Sequence, residues 1–154
     1  MIAPSELRAL VIAPVCNYLG LGGVVVEELL LATAMQESQC GAHLRQVGGP
    51  ALGVWQMEPR THDDIWENFL AFRVPLAAKI STFLFTGLPR VEQLVGNLYY
   101  SCAMARVQYY RSPRPLPPAG DLEAQAAYYK IIYNTALGAS TTAQYLANAR
   151  RVLV

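Results

Sequence analysis

The run Val24-Val25-Val26-Glu27-Glu28-Leu29-Leu30-Leu31-Ala32-Thr33-Ala34-Met35 constrains this chain more than any other stretch. It is unusually apolar and invites a membrane reading from Gly20 to Met35, yet two acids sit at its centre. An uninterrupted span needs about twenty mainly apolar residues, and a central acid costs on the order of 3 kcal/mol there. A buried core helix is therefore expected, with no integral membrane segment. At 154 residues the chain fits a single domain over residues 1–154, long enough to bury a real core.

The same helix carries Glu37 to the point where it emerges toward solvent. Two effects push the pKa of this carboxyl upward: apolar neighbours disfavour the charged form, and the negative end of the helix dipole repels a carboxylate in the last turn. An acid that keeps its proton near neutrality suits glycoside cleavage, because the departing sugar oxygen leaves poorly unless it is protonated as the bond breaks. Taken alone, Glu37 also reads as a solvated residue ending a helix. Its context favours the first reading: a glycine-bearing segment of substrate-sized length follows, Gly48-Gly49-Pro50-Ala51-Leu52-Gly53-Val54-Trp55-Gln56-Met57-Glu58-Pro59-Arg60-Thr61.

Glu37-Ser38, then Gly53-Val54-Trp55-Gln56-Met57-Glu58-Pro59-Arg60-Thr61, then Tyr133-Asn134 stand in the order and approximate spacing of a known pattern. Over roughly residues 25–150 the chain resembles the lysozyme-like domain of soluble lytic transglycosylases, and its loop Gln46-Val47-Gly48-Gly49-Pro50-Ala51-Leu52-Gly53 is more like that of phage-encoded relatives. The resemblance implies a catalytic acid/base role for Glu37, with Ser38 and Gln56 among the groups that hold the saccharide. It also implies that Tyr133 and Asn134 line the cleft opposite the acid, the tyrosine helping to orient it. The later motif usually continues Ala-Gly and here continues Thr135-Ala136-Leu137-Gly138, which weakens the carry-over to Asn134. Trp55, inside the matched loop, reads either as a wall of the cleft or as plain packing.

The implied substrate is the glycan strand of peptidoglycan, cut at the β-1,4 bond between N-acetylmuramic acid and N-acetylglucosamine. A hydrolase would need a second carboxylate, about 6.5 to 9.5 Å away if inverting and about 5 to 5.5 Å if retaining. Glu58, Asp63 and Asp64 are the candidates, and Glu58 is the most attractive because it lies in the matched loop beside Gln56. Lytic transglycosylases need one acid only, since the muramic 6-hydroxyl replaces water. The resemblance favours that outcome, with simple hydrolysis left open. Either a phage endolysin or a virion-carried enzyme fits, with other virion proteins as partners in the second case. A different class also stands: a structural virion protein of the same shape with little or no activity.

Composition agrees without specifying. Hydrophobic residues make up 53% and charged residues 15%, and the net charge of +1 gives no field suited to nucleic acid. The start Met1-Ile2-Ala3-Pro4-Ser5-Glu6 lacks a basic leader, so synthesis in a host cytoplasm without a secretory signal is expected, with action at the periplasm or wall. Cys16, Cys40 and Cys102 have neither disulfide nor metal spacing. Cys40 lies three residues from Glu37 but has no His or Asn placed by sequence to activate it, and buried packing is the expected role. His43 and His62 lack partners at ligand spacing and read as surface residues. No metal or other cofactor is called for. Tyr99-Tyr100, Tyr109-Tyr110 and Tyr128-Tyr129 offer faces on which a sugar could stack, but at most one of each pair faces a given cleft, and core packing is the expected role.

The fold is expected to be mainly α, with at most a small β-hairpin around residues 44–56. An opening helix runs from Pro4 or Ser5 to Tyr18 and stops at Gly20, Gly22 and Gly23. Thr61 is placed to cap the helix after the glycine-rich loop, with Asp64 at the reciprocal position. Another helix spans Pro75 to Phe85. Val91, Leu94, Val95, Leu98, Cys102, Ala105 and Tyr109 recur at helical spacing, predicting one long helix to about Arg111. The proline-rich segment from Ser112 to Gly120 reads as a stiff connector. Asp121 caps a helix through Tyr133, and Thr141 with Gln144 caps the last, ending near Arg151.

Overall fold

The computed structural model describes residues 1–134 and 138–154. It is mainly helical, and no strand occurs among the described residues. The expected hairpin is reduced to two isolated antiparallel bridges, Arg45 with Leu52 and Leu52 with Met57. Among those residues no helix is long and apolar enough to cross a membrane.

The opening helix begins with α1 (Pro4–Glu6), widens into a π-helical segment at Leu7–Ile12 and continues as α2 (Ala13–Tyr18). Pro14 gives a physical reason for the widening. Its ring lacks an N–H and crowds the carbonyl four residues earlier, and a π-turn relieves that contact. The Ala13 N–H accordingly reaches back five residues to the Arg8 carbonyl.

The apolar run forms α3 (Val24–Ser38), and nine of its fifteen residues are buried, so it is enclosed on nearly every side as expected. The two acids of the run, Glu27 and Glu28, fall near its N-terminus and are both engaged. Glu27 Oε2 accepts from Arg8 Nε at 2.9 Å, and Glu28 Oε2 accepts from the Gly120 N–H at 2.9 Å and Gln125 Nε2 at 2.6 Å. Both carboxylates are only partly buried, and such partners offset what solvation they lose.

After the glycine-rich loop come α4 (Pro59–Asn68), a 3-10 turn at Leu70–Phe72 and α5 (Val74–Ser81). Two boundaries differ from expectation here. Thr61 does not cap α4: proline is favoured in the first helical turn, so the helix opens at Pro59 with Glu58 before it. Asp64, freed from capping, accepts from Arg111 at 2.6 Å and Asn68 at 2.8 Å. The helix expected to reach Phe85 ends at Ser81.

The long helix expected from Val91 to Arg111 is two, α6 (Gln93–Gly96) and α7 (Leu98–Tyr110). Asn97 between them is extended, and its side chain caps α7 by accepting from the Tyr100 N–H at 3.0 Å. Ten consecutive residues of α7, Tyr100 to Tyr109, are buried, which makes it the second central helix. Thr33 joins the two centres, donating to the Leu29 carbonyl and lying 2.7 Å from the Tyr109 hydroxyl. The segment from Ser112 to Gly120 carries no helix.

Asp121 caps α8 (Leu122–Tyr129), as expected, and the chain continues as a π-helix over Lys130–Asn134. The Thr141–Gln144 capping box opens α9 (Thr142–Leu153), which packs extensively on α3 and α8. Cys16, Cys40 and Cys102 are all free and buried.

Gly53 marks where the loop meets this core. Its φ is +81°, and a Cβ there would run into the Leu94 carbonyl. Gly53→Ala is expected to destabilise the protein by about 2 kcal/mol or more, read as a lower urea midpoint with the slope unchanged.

Candidate active site

The C-terminal turn of α3, the glycine-rich loop and the π-helical segment that follows α8 converge on a cleft of about 450 Å³. Five of the expected site residues line it: Glu37, Gln56, Glu58, Tyr133 and Asn134. Chain direction reverses beside the acid because Gln39 and Cys40 both adopt left-handed backbone (φ 51° and 53°), ending α3 within two residues of Glu37. Gln56 is also left-handed (φ 46°), and its amide donates to the Gly53 carbonyl at 2.8 Å, holding the loop tip in place.

Glu37 is half-buried, and its Oε1 accepts from the Tyr129 hydroxyl at 2.5 Å. Burial pushes the carboxyl pKa up from 4.5 to about 7, while the Tyr129 hydrogen bond pulls the other way and loses. The Tyr129 hydroxyl is itself held well above its ordinary pKa, first by burial and then by the Glu37 charge. Tyr129 therefore keeps its proton and donates.

The sequence pattern reads Tyr129 as core packing and gives the orienting role to Tyr133. Tyr133 instead donates to the Trp55 carbonyl at 2.7 Å and braces the loop. The two tyrosines are four residues apart, a spacing that places both on one helical face, and this was the signal available. Their rings stack with centroids 6.1 Å apart, and Tyr129 stacks on Tyr145 of α9 at 4.5 Å. Core packing, the reading given to the tyrosine pairs, holds for Tyr100, Tyr109, Tyr128 and Tyr129, whereas Tyr99 and Tyr110 are exposed.

Two expected saccharide-binding residues are placed elsewhere. Ser38 is buried; its hydroxyl donates to the Val54 carbonyl at 2.6 Å and accepts from the Gly41 N–H at 2.8 Å. With its capacity used on backbone, it fixes the loop against α3 rather than facing the cleft. Trp55 is fully buried and donates to the Leu30 carbonyl at 2.9 Å, which decides for packing over cleft wall. His62 is likewise buried, not on the surface: its ring lies between Asp63 at 2.8 Å and the Tyr100 hydroxyl at 2.6 Å, and burial lowers its pKa. His43 is exposed.

The opposite lip is built by a lysine that the sequence did not flag. Lys130 Nζ donates to Asn134 Oδ1, the Gly138 carbonyl and the Ser140 carbonyl at 2.7, 2.8 and 2.7 Å. Gly138 is needed here because a Cβ would meet Asn134. Gln36 ties the lip to α3 and α9, donating to Ser140 Oγ at 3.0 Å and accepting from Asn148 at 2.7 Å. Thr135, Ala136 and Leu137, where the motif departs from the family's pattern, lie outside the described residues.

The resulting wall is rich in uncharged amide and hydroxyl groups: Gln36, Gln46, Gln56, Gln108, Thr61 and Ser140. Glu37 and Glu58 are the carboxylates among the described lining residues. Chemically, the site offers one acid protonated near neutrality within a cleft that hydrogen-bonds without strong charge.

Comparison of the chain with protein-family models, curated proteins and solved structures gives no match.

The raised pKa carries a stability cost of known sign. In the unfolded chain Glu37 ionises around 4.5, and in the folded protein around 7, so folding binds a proton between these values and stability falls as pH rises through that window. Glu37→Gln removes the penalty and keeps an acceptor for Tyr129. The substitution is expected to stabilise the protein relative to the parent above pH 7, by up to about 3 kcal/mol, with the gain vanishing below pH 4.5. Paired thermal melts at pH 4 and pH 8 measure this difference.

Proposed function

We propose that this protein cleaves the β-1,4 bond between N-acetylmuramic acid and N-acetylglucosamine in peptidoglycan, with Glu37 as the acid/base. The observation that carries the reading is a carboxyl with its pKa raised to about 7, held by Tyr129, in a cleft lined by amides and hydroxyls. Such a lining suits a polyhydroxylated, N-acetylated chain, which is recognised through many neutral hydrogen bonds rather than through ion pairs. The resemblance to lytic transglycosylases in Glu37, Gln56, Tyr133 and Asn134 supports the same reading, because these four line one cleft.

In the proposed reaction the Glu37 carboxylic acid gives its proton to the glycosidic oxygen as the bond from the muramic C1 breaks, and the glucosamine leaves with a free 4-hydroxyl. The muramic 6-hydroxyl then attacks C1, its proton passing to the Glu37 carboxylate, and a 1,6-anhydro end forms. One carboxyl acts first as acid and then as base. Hydrolysis would instead use water, with Glu58 as the carboxylate available in the cleft. A phage endolysin and a virion-carried enzyme would use this chemistry alike.

Zymography on purified peptidoglycan tests the activity: clearing by the parent chain and a loss of at least about 100-fold in Glu37→Gln are expected. No clearing by the parent would point to a structural virion role. Mass spectrometry of the released muropeptides decides the reaction type, since anhydro ends are lighter than hydrolysed ends by one water.

Tyr129→Phe makes a finer prediction. Loss of the hydroxyl removes the contact that lowers the Glu37 pKa, so the high-pH limb of the activity profile is expected to move upward from about 7. A downward move, or no move with full activity, would count against Tyr129 as the group that positions the acid.

A further inference from the structure

We propose that the outward side of α5 and its flanking turns form a docking surface for an anionic lipid bilayer, engaged peripherally. The proposal does not rest on the glycan-cleaving reading. Its first basis is a short helix with apolar residues on both sides. α5 turns Leu76, Ala77 and Ile80 toward the core, as any packed helix would, yet Val74, Pro75 and Ala78 are exposed where charged residues ordinarily stand. A helix apolar on both sides is expected to be covered. Phe72 immediately before it is 79% exposed, Val74 is 71% exposed, and Phe85 beyond its end is 51% exposed.

This apolar surface continues onto neighbouring elements. Phe83 makes edge contacts with Tyr18 at 5.3 Å and with Tyr99 at 5.7 Å, and the Tyr99 hydroxyl donates to the carbonyl of exposed Leu10. Phe83, Phe85, Leu98 and Tyr99 border a shallow opening there. None of these residues lines the cleft of Glu37, so a docked surface would leave that cleft free.

Charge selects the occupant. Residues 68–91, bounded by Glu67 and Glu92, contain Arg73, Lys79 and Arg90 and no Asp or Glu; Arg90 shares its surroundings with Asp63, so Arg73 and Lys79 are the cations that α5 itself presents. All three cations lie beside rings: Arg73 is 5.1 Å from the Phe69 centroid, Lys79 6.0 Å from Tyr18 and Arg90 4.1 Å from Trp66. Cations interleaved with exposed aromatic and aliphatic side chains match a bilayer boundary, where phosphates meet the cations and acyl chains receive the apolar tips. A second copy of this chain would bring the same sign of charge to the contact, which disfavours self-association through it.

Flotation with vesicles of phosphatidylglycerol and phosphatidylethanolamine, set against vesicles of phosphatidylcholine alone, tests the proposal. Binding to the anionic vesicles at least fivefold above the neutral ones is expected, falling in 0.5 M salt. Phe72→Ser with Phe85→Ser, and separately Arg73→Glu with Lys79→Glu, should each lower binding at least fivefold. Both are exposed-site changes, so far-UV circular dichroism should match the parent; a pair that alters it is replaced by Phe72→Leu with Phe85→Leu, which should bind at an intermediate level. Absence of vesicle binding, equal binding to both compositions, or binding indifferent to the substitutions would overturn the proposal. So would light scattering that shows a dimer lost in Phe72→Ser with Phe85→Ser without any vesicle association.

Discussion

The hydrogen bond from Tyr129 to Glu37 is the contact around which the cleft is organised, and it is a contest between two effects. Withdrawal from water favours the neutral carboxylic acid, and the phenolic donor favours the carboxylate. Burial wins, leaving the group with a pKa of about 7. A stronger donor set would lower the pKa toward its ordinary range, and a drier site without the phenol would raise it further. The balance gives an acid that both releases and regains its proton near neutrality.

The architecture around this contact supplies rigidity from elements far apart in sequence. Glu37 rides on a helix enclosed along most of its length, and two successive left-handed residues end that helix just past the acid. Tyr129 is held from behind by stacking on Tyr145 and Tyr133, and Tyr133 in turn braces the loop through the Trp55 carbonyl. Lys130 and Gln36 fasten the opposite lip to the same helices. The site is thus assembled from the ends of packed elements, with a neutral hydrogen-bonding surface left over for a ligand.

How much of this was legible follows from the range of the interactions involved. Local signals were read well: the apolar run around Leu29 to Leu31 is a buried helix, Asp121 and the Thr141–Gln144 pair cap the helices they precede, and the prolines after Ser112 exclude one. Signals with two local solutions were read less well. The apolar spacing from Val91 to Tyr109 continues in phase across Asn97, so periodicity could not reveal that its side chain would rather cap α7 than lie within a single helix. Thr61 offered a plausible cap, but Pro59 two residues earlier opens the helix first. Of the residues named from short motifs, Glu37, Gln56, Glu58, Tyr133 and Asn134 line one cleft, whereas Ser38 and Trp55 serve the backbone and core. Tyr129, read only as core packing, could have been paired with Tyr133 by its four-residue spacing but its partner Glu37 lies across the fold, and the carbonyl partners of Lys130 lie across a turn that no spacing rule announces.

Everything in the proposed chemistry depends on Glu37 holding its proton into the neutral range. A carbon-13 NMR titration of the Glu37 side-chain carboxyl, assigned by comparison with Glu37→Gln, measures this directly. A midpoint of about 7 is expected. A midpoint near 4.5 would mean that water reaches the group freely, and the acid/base role built on it would be contradicted.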